Sequence, residues 1–196
     1  VSGAFLGAYD ITDPSNIIEV DRIQSSPGAG VIPHNVHVYG NFIVTSYYSD
    51  GIVVHDATYP YNLIEVAHYD TYPTQTTSYD GCWGAYPYLP SGIALATDRE
   101  YGLFVLGVNY QQAAYLEGTV TDAVTTNPIQ NVQVTITGQN SLNPTNSSGE
   151  YATGTAAGGM IEVTYHKPGY YSVVENVTLT QGVITINDVE LIPIPP

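Results

Sequence analysis

Phe42-Ile43-Val44-Thr45-Ser46, followed by Gly51-Ile52-Val53-Val54, returns 51 residues later as Ile93-Ala94-Leu95-Ala96-Thr97, followed by Gly102-Leu103-Phe104-Val105. Both copies are apolar β runs closed by turn residues. A second correspondence aligns Asp10-Ile11-Thr12-Asp13-Pro14 and Glu19-Val20 with Asp56-Ala57-Thr58-Tyr59-Pro60 and Glu65-Val66, at an offset of 46. A period of roughly 50 residues made of strands and turns is the signature of a β-propeller blade of about four strands. One such sheet cannot bury both its faces, so neighbouring repeats must cover them.

Working outward, the expected strands are 17–23, 35–38, 41–46, 51–55, 63–69, 92–97 and 102–107. Clusters such as Asp13-Pro14-Ser15-Asn16 and Ser49-Asp50-Gly51 separate them. No apolar stripe has helical period, and Gly and Pro recur too often for long helices. Between the repeats lies Gly81-Cys82-Trp83-Gly84-Ala85-Tyr86-Pro87-Tyr88-Leu89-Pro90-Ser91-Gly92, which holds the only Trp and the only Cys. Its prolines and glycines argue against a plain strand and for a structured connection that tucks aromatic rings between repeats.

The run His34-Asn35-Val36-His37-Val38-Tyr39-Gly40-Asn41 with 42–46, then Asp50–Asp56 and Asn62–Val66, resembles LVIVD-type propeller repeats. The stretch 81–92 followed by 93–105 is similar to the end of the propeller in bacterial "choice-of-anchor B" surface proteins. The resemblance spans residues 1–108 and implies a secreted or surface-anchored bacterial protein with no defined activity. About 108 residues make little more than two blades, whereas closure takes at least about four. An incomplete propeller is therefore expected, either because upstream blades precede Val1 or because another chain supplies the missing packing.

After a junction at 109–114 the pattern changes. Strict alternation in 132–136 and 161–165 predicts half-buried strands of a two-layer sandwich. Gly118-Thr119-Val120-Thr121-Asp122, Pro128-Ile129 with Val132-Gln133-Val134, Asn146-Ser147-Ser148-Gly149-Glu150-Tyr151 and Gly169-Tyr170 near Lys167 carry a second resemblance. Residues 115–192 resemble the carboxypeptidase regulatory-like (transthyretin-like) domain, which implies a non-catalytic spacer with an immunoglobulin- or transthyretin-like sandwich fold. Residues 193–196 read as a proline-rich tail. The fold class expected overall is all-β, a partial propeller-like array followed by a sandwich.

Three cations, Arg22, Arg99 and Lys167, face 18 carboxylates, for a net charge of −15. That field repels phosphate backbones and anionic lipid, which excludes nucleic acid as a partner. No apolar run approaches the ~20 residues of a membrane span. Eighteen tyrosines against three phenylalanines, with almost no Lys, suit an extracellular or cell-surface protein. One cysteine permits no intrachain disulfide, and Cys82 reads as a buried small hydrophobe.

The candidate chemistry is sparse. His34 and His37 lie three apart, on opposite faces of a strand, so they do not converge with each other, and a zinc site would need His55 or His68 from elsewhere. Asp10, Asp13, Asp50, Asp56 and Asp70 sit where Asp caps its own turn; the same oxygens suit Ca2+, the one cofactor worth naming, and none is expected. No pair of carboxylates is nominated for hydrolysis. Partner-contact candidates are the aromatics Tyr47, Tyr48, Tyr59, Tyr61, Trp83, Tyr86 and Tyr88. Asn146 and Asn176 fit the N-glycosylation acceptor pattern, both in or beside expected turns.

The function expected is a non-catalytic structural or adhesive surface protein, with the sandwich as spacer. A self-assembling filament subunit, completed by strand or blade exchange between copies, is the alternative within that class. A carbohydrate-binding or hydrolytic portion of a larger secreted enzyme is the alternative outside it. The expected partners are accordingly other copies of the chain, other surface proteins, or glycans.

Overall fold

The computed structural model describes residues 4–74, 79–139 and 143–195. The described residues contain no helix, and their strands form five sheets, none closed into a barrel. The chain divides into two compact units, 1–112 and 113–196.

The first unit is built from three antiparallel meanders. β1 (Leu6–Asp10) pairs with β2 (Ile18–Ile23). β3 (Val36–Tyr39), β4 (Phe42–Ser46), β5 (Ile52–Asp56) and β6 (Ile64–Tyr69) form a four-stranded sheet in chain order. β7 (Cys82–Tyr86), β8 (Ile93–Asp98) and β9 (Gly102–Gly107) form a three-stranded one.

The sequence repeats are register repeats. In β1–β2, Leu6 faces Ile23 and the ladder shifts between Ala8 and Tyr9. In β5–β6, Ile52 faces Tyr69 and the shift falls between Val54 and His55, each position 46 residues on. In β4–β5, Phe42 faces Asp56 and Val44 faces Val54; in β8–β9, Ile93 faces Gly107 and Leu95 faces Val105, each 51 residues on. Because side chains alternate with period two, conserving the register conserves which residues share a face.

The stretch from Gly81 is not a connection throughout, as its composition led us to expect. Cys82–Tyr86 is β7, and a bulge between Cys82 and Gly84 absorbs the irregularity. Only the residues after it, through Pro87 and Pro90, form the turn. A propeller is likewise not supported: the described meanders have two, four and three strands.

Sheets stack through their faces. Val44, Ile52 and Val54 of the second meander pack on Cys82, Ala85, Ala94 and Ala96 of the third. Phe42, Ala67, Phe104, Leu106 and Tyr110 border this core. The backbones also meet: Tyr48 N–H donates to the Cys82 carbonyl (3.0 Å), and Cys82 N–H to the Tyr48 carbonyl (2.8 Å). That approach requires glycine at 81, where φ is +92° and a Cβ would lie 2.4 Å from the Tyr48 oxygen.

The second unit is a two-layer sandwich. One layer centres on β10 (Ala114–Asp122), flanked by β13 (Glu150–Thr155) and, in parallel, by β16 (Ile184–Ile186) and β17 (Val189–Leu191). The other orders β12 (Asn143–Pro144), β11 (Gln133–Ile136), β14 (Gly159–His166) and β15 (Val173–Leu179). Alternate residues of both layers, among them Leu116, Val120, Val134, Ile136, Val163, Tyr165 and Leu191, meet in one buried core. Two buried tyrosines tie the layers together. Tyr151 O–H donates to the Asn187 carbonyl (2.6 Å), so the 2.9 Å contact between hydroxyls is donated by Tyr165, which in turn accepts from Asn187 Nδ2 (2.9 Å).

Candidate functional site

The candidate site is the aromatic surface around β7. The bulge after Cys82 turns Trp83 outward, half-exposed. Its backbone carbonyl becomes a hub that accepts from His34 Nδ1 (2.5 Å), Asn35 Nδ2 (3.2 Å) and Ser46 Oγ (3.1 Å). The indole lies 4.4 Å from the His34 ring and edge-on to Tyr48 at 5.9 Å, between centroids. The Arg99 guanidinium stands 5.7 Å over the indole and donates to the Tyr79 carbonyl. One of three cations in a −15 chain is thus held by an aromatic face.

A second aromatic row follows the turn after β7. Tyr86 meets Tyr88 edge-on at 5.3 Å, and Tyr88 meets His37 at 5.6 Å. The Tyr88 hydroxyl donates to the Val38 carbonyl (3.1 Å), which holds the ring against β3. Trp83, Tyr86 and Tyr88 all keep nearly half their surface open to solvent, consistent with amphipathic rings that pack on one side and stay wet on the other.

The other contact candidates separate. Tyr47 and Tyr48 lie inside the fold, so the surface they were expected to form is carried by Trp83, Tyr79, Tyr86 and Tyr88. Tyr59 and Tyr61 pair with each other (5.9 Å) within the turn between β5 and β6. Tyr79 belongs to the dense run of tyrosines that the sequence shows, whereas nothing local marks Arg99 as a neighbour of Trp83. Asn146 caps its own turn, accepting from Ser148 N–H (2.9 Å) and Glu150 N–H (3.0 Å), with its amide nitrogen donating to Glu150 Oε2. Asn176 lies in the middle of β15, opposite Glu162, and not beside a turn.

The histidines and turn aspartates each have local partners or burial. His68 Nε2 donates to the Asp50 carbonyl (2.6 Å). His55 is fully buried with neither ring nitrogen hydrogen-bonded, and burial pushes its pKa down to about 3, with His68 nearby adding to the effect. Asp10 accepts from Thr12 N–H and Asp56 from Thr58 N–H and Oγ1, the same turn 46 residues apart. Asp13 and Asp70 do likewise with Ser15 and Tyr72. No group of three or more His, Cys, Asp or Glu among the described residues is placed to hold a metal ion. Burial, with the Asp98 charge behind it, pushes the Cys82 thiol up to about 12.

With this geometry established, similarity to known proteins divides the chain unequally. Residues 115–191 match the carboxypeptidase regulatory-like domain. The sandwich half therefore matches a family model, and no LVIVD or choice-of-anchor B repeat family is shown for the other half. No curated protein matches the chain. Solved structures similar at low level include three bacterial proteins. The minor pilin GBS52 of Streptococcus agalactiae is 14% identical, with TM-score 0.36, over 57% of this chain and 64% of the pilin. The Bacillus anthracis TIE protein is 11% identical, with TM-score 0.37, over 53% of this chain and 23% of that protein. The group B streptococcus pilus 2b backbone protein is 12% identical, with TM-score 0.34, over 98% of this chain and 79% of that protein. The chain thus spans less than two thirds of the first two, and TM-scores this low define neither its fold nor its function.

Proposed function

We propose that the chain is a non-catalytic structural and adhesive component of an extracellular surface. The repeat array presents the contact face, and the carboxypeptidase regulatory-like sandwich spaces it from its attachment. The observation that carries this reading is the half-exposed Trp83, held by three hydrogen bonds to its own carbonyl and flanked by His34 and Arg99. A rigid, wet aromatic ring beside a cation costs little side-chain entropy on binding, as contact surfaces for sugars or proteins require. The chain's one thiol, Cys82, is fully buried and so offers no accessible cysteine nucleophile. No helix among the described residues is long and apolar enough to cross a membrane.

The test is binding of the intact chain to an array of oligosaccharides and surface-protein fragments, alongside Trp83→Ala. Retained ligands that Trp83→Ala loses support the reading. Binding that ignores both Trp83 and Tyr88→Ala would remove this face from the function. The second reading, assembly of copies into a filament, is favoured by one observation: the third meander leaves an apolar face uncovered.

A further inference from the structure

Each arginine and lysine of this chain is already engaged by the chain itself. Arg22 pairs with Glu19 (2.5 Å) and stands 5.3 Å over the Phe5 ring. Lys167 Nζ donates to the Gln130 carbonyl (2.9 Å). Arg99 lies over the Trp83 indole, donates to the Tyr79 carbonyl and has Asp80 Oδ1 4.0 Å away. Against these three cations stand 18 carboxylates. The field offered to other molecules is therefore negative, and it steers positively charged partners toward the chain.

Arg99 also shows what the aromatic face accepts. Its backbone is fixed, because Arg99 N–H donates to the Gly81 carbonyl (2.9 Å) and Gly81 N–H donates to Glu100 Oε2 (2.7 Å). Only the long side chain reaches the indole. Around its guanidinium are a π face, a backbone carbonyl and a carboxylate, all electron-rich and all suited to a cation. The Trp83 and Tyr79 rings each stand edge-on to the buried Tyr48, at 5.9 Å and 5.3 Å between centroids, and both remain about half exposed. We propose that this face binds a basic protein segment, one of whose arginine or lysine side chains takes the place that Arg99 holds over Trp83. Arg99 is then a built-in competitor, displaced by the cation of the partner. The partner is recognised twice, at a distance by the −15 charge and in contact by the indole. An acidic segment is repelled by the first, and a neutral ligand gains from neither charge.

This inference rests on the reading of Trp83 as a contact face, and it names the chemistry of what is contacted. Binding of an oligo-arginine peptide, an oligo-glutamate peptide and a neutral oligosaccharide to the intact chain is measured by calorimetry at about 0.15 M salt. The single tryptophan reports contact by its fluorescence. The native chain should bind oligo-arginine, with a change in Trp83 emission. Trp83→Ala should weaken that binding about fivefold, the size of one cation–π contact. Arg99→Gln should tighten it by a similar factor, because the internal competitor is gone. Arg22→Gln makes the same one-unit change in net charge in the first meander, at Glu19, and should alter binding far less. Circular dichroism matching the native chain establishes that the variants fold. Equal tightening by Arg22→Gln and Arg99→Gln, or binding unchanged in Trp83→Ala, would mean that overall charge alone attracts the peptide, and overturns the proposal. Trp83-dependent binding of the acidic peptide or the oligosaccharide, with none of oligo-arginine, overturns it too while leaving the contact face standing.

Discussion

The two halves of this chain solve the same problem, burying one face of each β-sheet, in opposite ways. In the sandwich, two layers turn their inner faces toward each other, and a single core from Ala114 to Leu191 takes residues from both. Burial there is complete within one unit. In the repeat half, each sheet passes one face to the next, so Val44, Ile52 and Val54 are covered while Leu103 and Val105 are not. A stack always ends on an open face. The difference teaches that a closed core leaves no sheet face over, whereas a stack of repeats leaves one uncovered.

The comparison can be broken most strongly from the sandwich side. Leu116→Ala removes a fully buried side chain at the centre of the closed core. It should cost about 2–5 kcal/mol. Trp83 is the only tryptophan and lies in the repeat half, so its fluorescence follows that half alone. The expected outcome is a large loss in the sandwich transition seen by circular dichroism, with the Trp83 fluorescence midpoint unmoved. Equal movement of both signals would mean that the halves unfold as one.

The complementary change is Gly81→Ala, which places a methyl against the Tyr48 carbonyl at a backbone angle of φ +92°. Strain of this kind costs about 1–3 kcal/mol. The fluorescence midpoint should fall while the sandwich transition stays, and an unchanged midpoint would show that the contact between the second and third meanders is dispensable.

A smaller effect, with its own pH signature, belongs to His55. The third meander has Leu106 at the same register position, so His55→Leu substitutes one repeat's residue for another's. Removing a buried group with no hydrogen bond should stabilise the repeat half by about 1 kcal/mol at pH 7. The native His55 pKa of about 3 lies below its ordinary value of 6.5. Above pH 6.5 the ring is neutral in both states, and the protein keeps its full stability. As pH falls from 6.5 toward 3, the unfolded chain takes up a proton that the folded one refuses, and stability is lost. Glu65 works the other way: burial raises its pKa, so it favours the fold as pH falls. The His55→Leu variant isolates the histidine: its stability should decline less than the native protein's over that window in urea titrations followed by Trp83. Parallel pH curves would show that His55 is solvated.

The smallest effect is expected at Tyr88→Phe, which loses only the exposed hydrogen bond to the Val38 carbonyl. A midpoint shift equivalent to within about 0.5 kcal/mol is expected. A larger one would mean that this aromatic row braces the stack as well as lining its surface.

Much of the architecture was legible before any coordinates. Seven repeat-half strands were expected within a residue or two, from 17–23 to 102–107, because their apolar runs end at turn residues. β1 was not expected, and β7 was misread because a bulge lets glycine-rich sequence stay in a ladder. Asp10, Asp13, Asp56 and Asp70 were legible because an Asx turn is local, whereas Asp50, expected to do the same, accepts instead from Ser26 Oγ 24 residues away. The aromatic site was legible as a density of rings but not as a list: Tyr48 and Trp83 have the same chemistry on paper, yet one is inside and the other half out.

By itself, then, the amino-acid sequence placed most of the repeat-half strands and the offsets of 46 and 51 that relate them, and it marked residues 115–191 as a regulatory-like sandwich. Those properties depend on neighbours a few residues away and on a period of two. Tertiary structure alone decided which copies of the repeat are covered. Ile52 and Leu103 occupy corresponding places in two ladders of one register, and only the presence or absence of another sheet against them separates a core from a surface.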